Sequence, residues 1–462
     1  MKVHRLGGFD ATLLLFESPS QPMHACSLAE LDVSTMPGGY SFEAFREMLA
    51  VRTRALPEFR AKVVDSRLNL GTPVWAEDPN FDIDNHVHRL DLPAPGGQRE
   101  LCDIAGRLAS EPLDRSRPLW DMWVLEGVSG VEPKVSGRIA VVIRTHHVFA
   151  DGLTSGDLWA KLYASDTDAP ATSPVDGFGD ISPQRLAVDG LLRFAARPWF
   201  LLTRLIVPTL VALARTVGRA VRGRAMSAPF LAPRIPFNGD VSERRNVAYA
   251  RLDLRDVKTV KNTFGVKVND VLLAVVSGAV RQFLESRGAL PDRALVALIP
   301  VAVQDGREGL RNQFAPMWSS LHTDLEDPVG RLKAIAESSS VAKEHSSAIG
   351  TTLLADWAHC APSLPPAIMR LYAWSGLSKR LPVYSVSLSN VRGDQQQILG
   401  AHVIANYPFG PVMNGAGLNI TAASLNGNID CGLVSCPELL PDLWEVADAM
   451  PVALKELLNA AH

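Results

Sequence analysis

The chain has 462 residues, 47% of them apolar and 21% charged, with a net charge of −3. That composition specifies a folded globular protein of two or three domains at roughly 100–200 residues each, and it excludes a disordered chain. The slight acidity speaks against a nucleic-acid partner, whose phosphates demand a basic excess, and five cysteines without a Cys-x-x-Cys pair give no support to a disulfide framework or zinc knuckle.

The first apolar run, 11–16, is short and flanked by Asp10 and Glu17, which is not the pattern of a signal peptide. No stretch reaches the roughly 18 uninterrupted apolar residues of a spanning helix. A cytoplasmic protein, attached at most peripherally to the inner membrane or to lipid droplets, is expected.

Residues 1–175 alternate β-rich runs with amphipathic helices and are read as an N-terminal domain. The clearest strand is 139–145, Ile-Ala-Val-Val-Ile-Arg-Thr, which is short and β-branched. A helix is predicted over 152–163, with Leu153, Leu158, Trp159 and Leu162 on its apolar face. Residues 176–240 are read as a crossover linker with basic amphipathic helices. Its segment 191–224 carries seven arginines and no acidic residue, and Pro198 and Pro208 are expected to break or kink it into short helices. Residues 241–462 resume the α/β texture as a C-terminal domain. Its predicted elements are a helix at 271–287, a buried strand at 294–301, strands at 419–423 and 429–435 and a last helix at 442–461. The fold class is α/β, in two halves.

Chemistry concentrates where strand 139–145 ends, in His146-His147-Val148-Phe149-Ala150-Asp151-Gly152. Side chains alternate faces along an extended chain, so the two histidines should point opposite ways. That weakens a metal site. Neutral imidazole can take a proton from a hydroxyl at neutral pH, so His147 is a candidate general base. Asp151 could then fix the loop by pairing with an arginine, and Gly152 supplies a backbone angle other residues disfavour. The spacing alone fits a plain turn with two satisfied histidines about as well.

This segment matches the His-His-x-x-x-Asp-Gly motif of the superfamily of chloramphenicol acetyltransferase and peptide-synthetase condensation domains. More closely, the chain resembles the bacterial wax ester synthase/diacylglycerol acyltransferase family, in its mycobacterial triacylglycerol synthase branch. The resemblance runs nearly end to end, through Leu6-Gly7-Gly8-Phe9-Asp10, Pro22-Met23-His24, Pro118-Leu119-Trp120, Asn269-Asp270, Asn312-Gln313 and Ser389-Asn390-Val391.

The resemblance implies two chloramphenicol-acetyltransferase-like domains with an active-site tunnel between them. It implies His147 as the base, with His146, Asp151 and Gly152 in support. It also implies acyl-CoA as co-substrate without metal or cofactor, and diacylglycerol or a long-chain alcohol as acceptor. Asn269 and Asp270, and Ser389 and Asn390, become candidates for substrate binding. Each pair also has a structural reading, the first as the cap and opening turn of a helix, the second as a turn.

Departures from the family pattern fall at Gln304, Arg311 and Arg392, where arginine, glycine and proline are usual. They leave the base intact and put the tunnel lining in question. The alternative is a homologue that binds acyl-CoA or lipid without turnover. Residues 191–224 suit either a lipid interface, with arginines at headgroups, or a crossover packed on the protein. The sequence specifies neither acyl chain length nor oligomeric state.

Overall fold

The computed structural model describes residues 4–129, 131, 137–152, 156–164, 178, 182–302, 314–349, 353–393 and 396–461. Leu153, Gln304, Arg311, Asn312 and Gln313 lie outside them.

Two six-stranded sheets organise the chain. The first runs β12 (Gln397–Ile398), β13 (Ala401–Phe409), β2 (His24–Asp32), β7 (Arg138–His146), β6 (Trp120–Glu126) and β5 (Val87–Asp91). The second runs β10 (Phe314–Ser320), β9 (Val296–Ala302), β11 (Val386–Arg392), β14 (Asn419–Leu425), β15 (Asn428–Ser435) and β8 (Asn246–Asp253). A small sheet of β1 (His4–Arg5), β4 (Val74–Glu77) and β3 (Ala61–Val64) flanks the first.

Helices α1 (Gly8–Phe16), α2 (Phe42–Ala55), α3 (Gln98–Ser110), α4 (His147–Gly152) and α5 (Gly156–Tyr163) belong to the first half. Next come α6 (Pro183–Phe200) and α7 (Ile206–Val221). The second half carries α8 (Leu254–Phe264), α9 (Val268–Glu285), α10 (Pro328–Ile349), α11 (Leu353–Cys360), α12 (Leu364–Trp374) and α13 (Leu443–Asn459).

Every residue of β7 is buried, which is why it reads as a continuous apolar run rather than an alternating one. Ile139, Val141 and Ile143 join a core with Phe45 and Leu49 of α2 and Leu158 and Leu162 of α5. On the other face, Ala140 and Val142 meet Leu101 and Leu108 of α3, together with Tyr249 of β8. This second core is the junction between the halves. The core of the second half forms around α9, whose Leu272, Val275, Val276 and Ala279 are fully buried against α13 and the sheet. A helix apolar nearly all round must be interior.

Two expectations need correction. Residues 241–462 do not form a closed domain, because β12 and β13 leave the second half and complete the first sheet, with β13 antiparallel to β2. Burial on both faces drives this. Ala401 and Val403 enter the core beneath α2, while Ala405, Tyr407 and Phe409 enter the junction, where Tyr407 stacks on Tyr249 at 3.9 Å. Gly432 of β15 permits the close pass, since a Cβ there would lie 2.0 Å from the Pro408 carbonyl oxygen.

The second correction concerns the crossover. Pro198 and Pro208 do not break it: Pro183–Val221 is one 39-residue helical run. A π-turn at Leu201–Leu205 links α6 to α7, with the Ile206 N–H reaching back to the Leu201 carbonyl. Pro208 then falls in the first turn of α7, where a missing N–H costs little.

Candidate active site

The motif begins at the last residue of β7. The His146 N–H donates to the Leu119 carbonyl at 3.0 Å and the His147 N–H to the Met23 carbonyl at 3.0 Å. The strand end is thus held from both sides by Pro118-Leu119-Trp120 and Pro22-Met23-His24. Trp120 itself is buried, its indole N–H donating to the Phe59 carbonyl at 2.8 Å, so that tripeptide is a packing element.

The two histidines differ in exposure. His146 is 0% exposed, whereas His147 is half-buried and opens α4. The Val148 N–H donates to His146 Nδ1 at 3.1 Å. His146 is therefore the side-chain cap of the helix that starts with His147, satisfying one of its otherwise orphaned N–H groups. An accepting Nδ1 places the hydrogen of the neutral ring on Nε2. That nitrogen lies 3.5 Å from Glu17 Oε1, an electrostatic approach rather than a tight hydrogen bond.

Burial lowers the His146 pKa, with Glu17 opposing. For Glu17, burial pulls upward, but the hydrogen-bonding and charge of His146, then the charge of Arg115, carry the carboxyl below the ordinary glutamate value. Arg115 Nε stands 3.4 Å from Glu17 Oε2. His24 faces His146 across the β2–β7 ladder, and burial together with the nearby Arg144 holds its pKa well down.

Neighbouring Arg144 anchors the same stretch of β7. Its Nε donates to Asp121 Oδ1 at 2.9 Å, and Nη1 donates to the Leu108 and Glu111 carbonyls at 2.6 and 2.8 Å. A buried arginine satisfied on all these sides fixes the backbone just before the motif.

Asp151 and Gly152 close α4, in the helical turn that starts at His147; their side chains lie outside the described atoms. Asn269 is half-buried at the second residue of α9, whose cap is Lys267, so Asn269 is not a helix cap. Asp270 is buried, and its Oδ2 accepts the Lys267 N–H at 2.9 Å, closing the helix start on itself. Ser389 and Asn390 lie in β11, not in a turn, paired in parallel with Thr421 and Ala422 of β14. Val386 and Leu388 point to the core of the second half, which puts Ser389 on the opposite face of that sheet. Asn390 is exposed. The histidines are thus carried by the first sheet and the serine–asparagine pair by the second.

Next to the strand end lies a cavity of about 270 Å³, lined by Ala25, Ile143, Thr145, Trp159, Tyr163 and Val403 among others. A larger cleft of about 660 Å³ between α2 and β4 contains none of the motif residues. Sequence reading missed Glu17 and Arg115. Glu17 served only to mark the end of an apolar run, and no local pattern ties it to a histidine so far along the chain.

Two mixed sheets joined through a buried junction, with a histidine pair at the end of an inner strand, define the two-domain fold of chloramphenicol-acetyltransferase-like acyltransferases. A condensation domain of the calcium-dependent antibiotic synthetase superposes with a TM-score of 0.60 at 14% identity, over 99% of this chain and 97% of that one. The wax ester synthase/diacylglycerol acyltransferase from Marinobacter aquaeolei VT8 superposes with a TM-score of 0.70 at 24% identity, over 99% of both chains.

The wax ester synthase/diacylglycerol acyltransferase catalytic domain matches residues 6–272, and the C-terminal domain of the same family matches residues 310–458. A Mycobacterium tuberculosis protein provisionally named a diacylglycerol O-acyltransferase is 47% identical over 99% of this chain and 91% of its own length. The chain belongs to the wax ester synthase/diacylglycerol acyltransferase family and is an acyltransferase.

Proposed function

We propose that the chain transfers a long-chain acyl group from acyl-CoA to the free hydroxyl of diacylglycerol, and to long-chain alcohols as a second acceptor class, with His147 as general base. The observation that carries this is the division of labour in the motif. His146 is buried and committed to the helix start, while His147 stands half-buried at the first residue of that helix. The name of the Mycobacterium tuberculosis relative supports the diacylglycerol acceptor.

In this reading the His147 imidazole takes the hydroxyl proton as the oxygen attacks the thioester carbonyl. The tetrahedral intermediate collapses, the C–S bond breaks, and the imidazolium returns its proton to the CoA thiolate. No metal or covalent cofactor takes part. Asp151 and Gly152 shape the turn behind the base, while Asn269, Ser389 and Asn390 border a channel between the halves. The apolar cavity beside Thr145 accommodates part of the acyl chain.

The long helix supplies contact with a membrane or lipid-droplet surface, where such acceptors reside. By length and composition it would suffice to cross a membrane, yet its flank packs on α10 and α11. Trp199, Leu202, Ile206, Leu210, Leu213, Val217 and Val221 are exposed at three- and four-residue spacing, with Val207 and Val211 exposed beside them. Exposed Arg204, Arg222 and Arg224 add positive charge for anionic headgroups. Arg197 and Arg219 are instead engaged by the Leu70 carbonyl and Glu344.

The test is ester formation by purified protein from labelled palmitoyl-CoA with diolein or hexadecanol, wild type against His147→Ala. Ester formation that survives the substitution refutes the base, and tight acyl-CoA binding without any ester refutes the activity.

A further inference from the structure

We propose that Glu17 is a positioning residue for acyl transfer, acting through His146 on the helix start that presents His147. This rests on His147 being the base. Nothing in the motif itself includes Glu17, which follows the last residue of α1 and reaches the site only through the fold.

Three connected contacts carry the proposal. Arg115 holds the carboxylate from outside, with Nε 3.4 Å from Oε2 and an Nη2 donating to the Leu14 carbonyl at 2.9 Å. Glu17 Oε1 faces His146 Nε2 at 3.5 Å, and the same oxygen lies 3.5 Å from the Met23 N–H. The far nitrogen of His146 caps α4 through the Val148 N–H at 3.1 Å. Met23 in turn gives its carbonyl to the His147 N–H at 3.0 Å. One carboxylate oxygen therefore lies at the head of both arms that fix His147: the side-chain arm through His146 and the backbone arm through Met23.

The chemistry of the ring makes an acceptor opposite Nε2 matter. His146 can cap α4 only while Nδ1 is an acceptor, so its single hydrogen must sit on Nε2. A carboxylate opposite Nε2 selects that tautomer. Without it, the hydrogen is free to move to Nδ1, where it would oppose the Val148 N–H and loosen the first turn of α4. The side chain of Glu17 is 7% exposed and that of His146 0%, so water is poorly placed to substitute. A base displaced by about 1 Å can lose on the order of 10²-fold in rate.

The experiment compares Glu17→Ala and Glu17→Gln with wild type in the full-length protein. Its readouts are kcat and KM for palmitoyl-CoA and diolein, thermal midpoint, and amide hydrogen exchange of a peptide covering 146–152. Glu17→Ala should lower kcat by about 10- to 100-fold with both KM values within about twofold. It should also speed exchange within 146–152 while the melting point stays close to wild type. Glu17→Gln keeps an oxygen opposite Nε2 and should restore most of both readouts.

Wild-type kcat and unchanged exchange in Glu17→Ala would overturn the proposal. So would a loss shared equally by the glutamine variant and accompanied by a general fall in melting temperature, since that marks a purely structural residue. If wild type itself makes no ester, the acyltransfer reading fails, and the exchange data alone still decide whether Glu17 holds the helix start.

Discussion

The starts of α4 and α9 use the same local device to different ends. Each helix has an N-terminal amide bonded by a nearby side chain, and each had been singled out in the sequence by a short polar motif. In α9 the group that caps is Asp270, which closes on the Lys267 N–H and is buried in doing so. In α4 the group that caps is His146, and the residue beside it, His147, is left half-open. A polar side chain consumed by the backbone has little capacity left for chemistry.

His147→Ala is the strongest test of that contrast. Loss of a positioned base should cut kcat by about 10²–10⁴-fold and leave the melting temperature near wild type. An equal loss of stability would mean that His147 is also spent on the fold, and the difference between the two helix starts would disappear.

How much of this was legible in the sequence follows the same line. Strand β7 was readable because burial on both faces writes an unbroken apolar run, and the helix from 268 because its apolar residues are periodic. Three things depended on contacts distant along the chain and left no local mark. Glu17 meets His146 only through the fold, β13 joins a sheet from the other half, and Pro198 is carried inside one long helical run. Of the two readings of Ser389 and Asn390, the turn fails: small polar residues favour turns, but parallel pairing with β14 outweighs that preference.

The long helix extends the contrast between engaged and open groups to a surface. Leu205 and Ala212 are buried against the body, while Trp199, Leu210 and Leu213 face outward. Leu364, Ile368, Leu371 and Trp374 of α12 form a second exposed stripe, and α1 packs against both α12 and α11, which lies beside the π-turn. Replacing Leu210 and Leu213 by glutamate should weaken partitioning into vesicles with anionic lipid by roughly tenfold or more per residue, since each buried leucine is worth about 1.5–3 kcal/mol. Turnover of a short, soluble acceptor should be unaffected. Flotation equal to wild type would rule out the stripe as the lipid contact.

A smaller effect is expected on the engaged side. Asp270→Ala removes the closure of α9 and should cost about 1 kcal/mol, read by chemical denaturation. Its kcat below the melting transition should match wild type. A fall comparable to that of His147→Ala would place Asp270 in the chemistry and make the two helix starts equivalent after all.

The least effect, and the most specific, concerns charged groups clustered at the junction of the halves. Glu30 of β2 pairs with Arg138 of β7 at 2.9 Å, and Asp430 of β15 with Arg251 of β8 at 3.0 Å. Asp430 also accepts the Asn406 N–H of β13 at 2.9 Å, so the cluster spans both sheets. Burial pushes Glu30 from 4.5 up to about 7, with Arg138 and Arg251 opposing and Asp430 adding to it. Burial likewise raises Asp430 to about 6. The folded chain therefore holds these protons more tightly than the unfolded chain does. The resulting stabilisation is full below the unfolded values and is lost as pH rises through about 6 and about 7. Glu30→Gln removes one titration without removing the volume. Its melting point relative to wild type should therefore be highest near pH 8 and should fall as the pH is lowered toward 5, because only wild type gains the proton. A difference that is flat across this range would mean that Glu30 titrates as it does in the unfolded chain, with water reaching the junction.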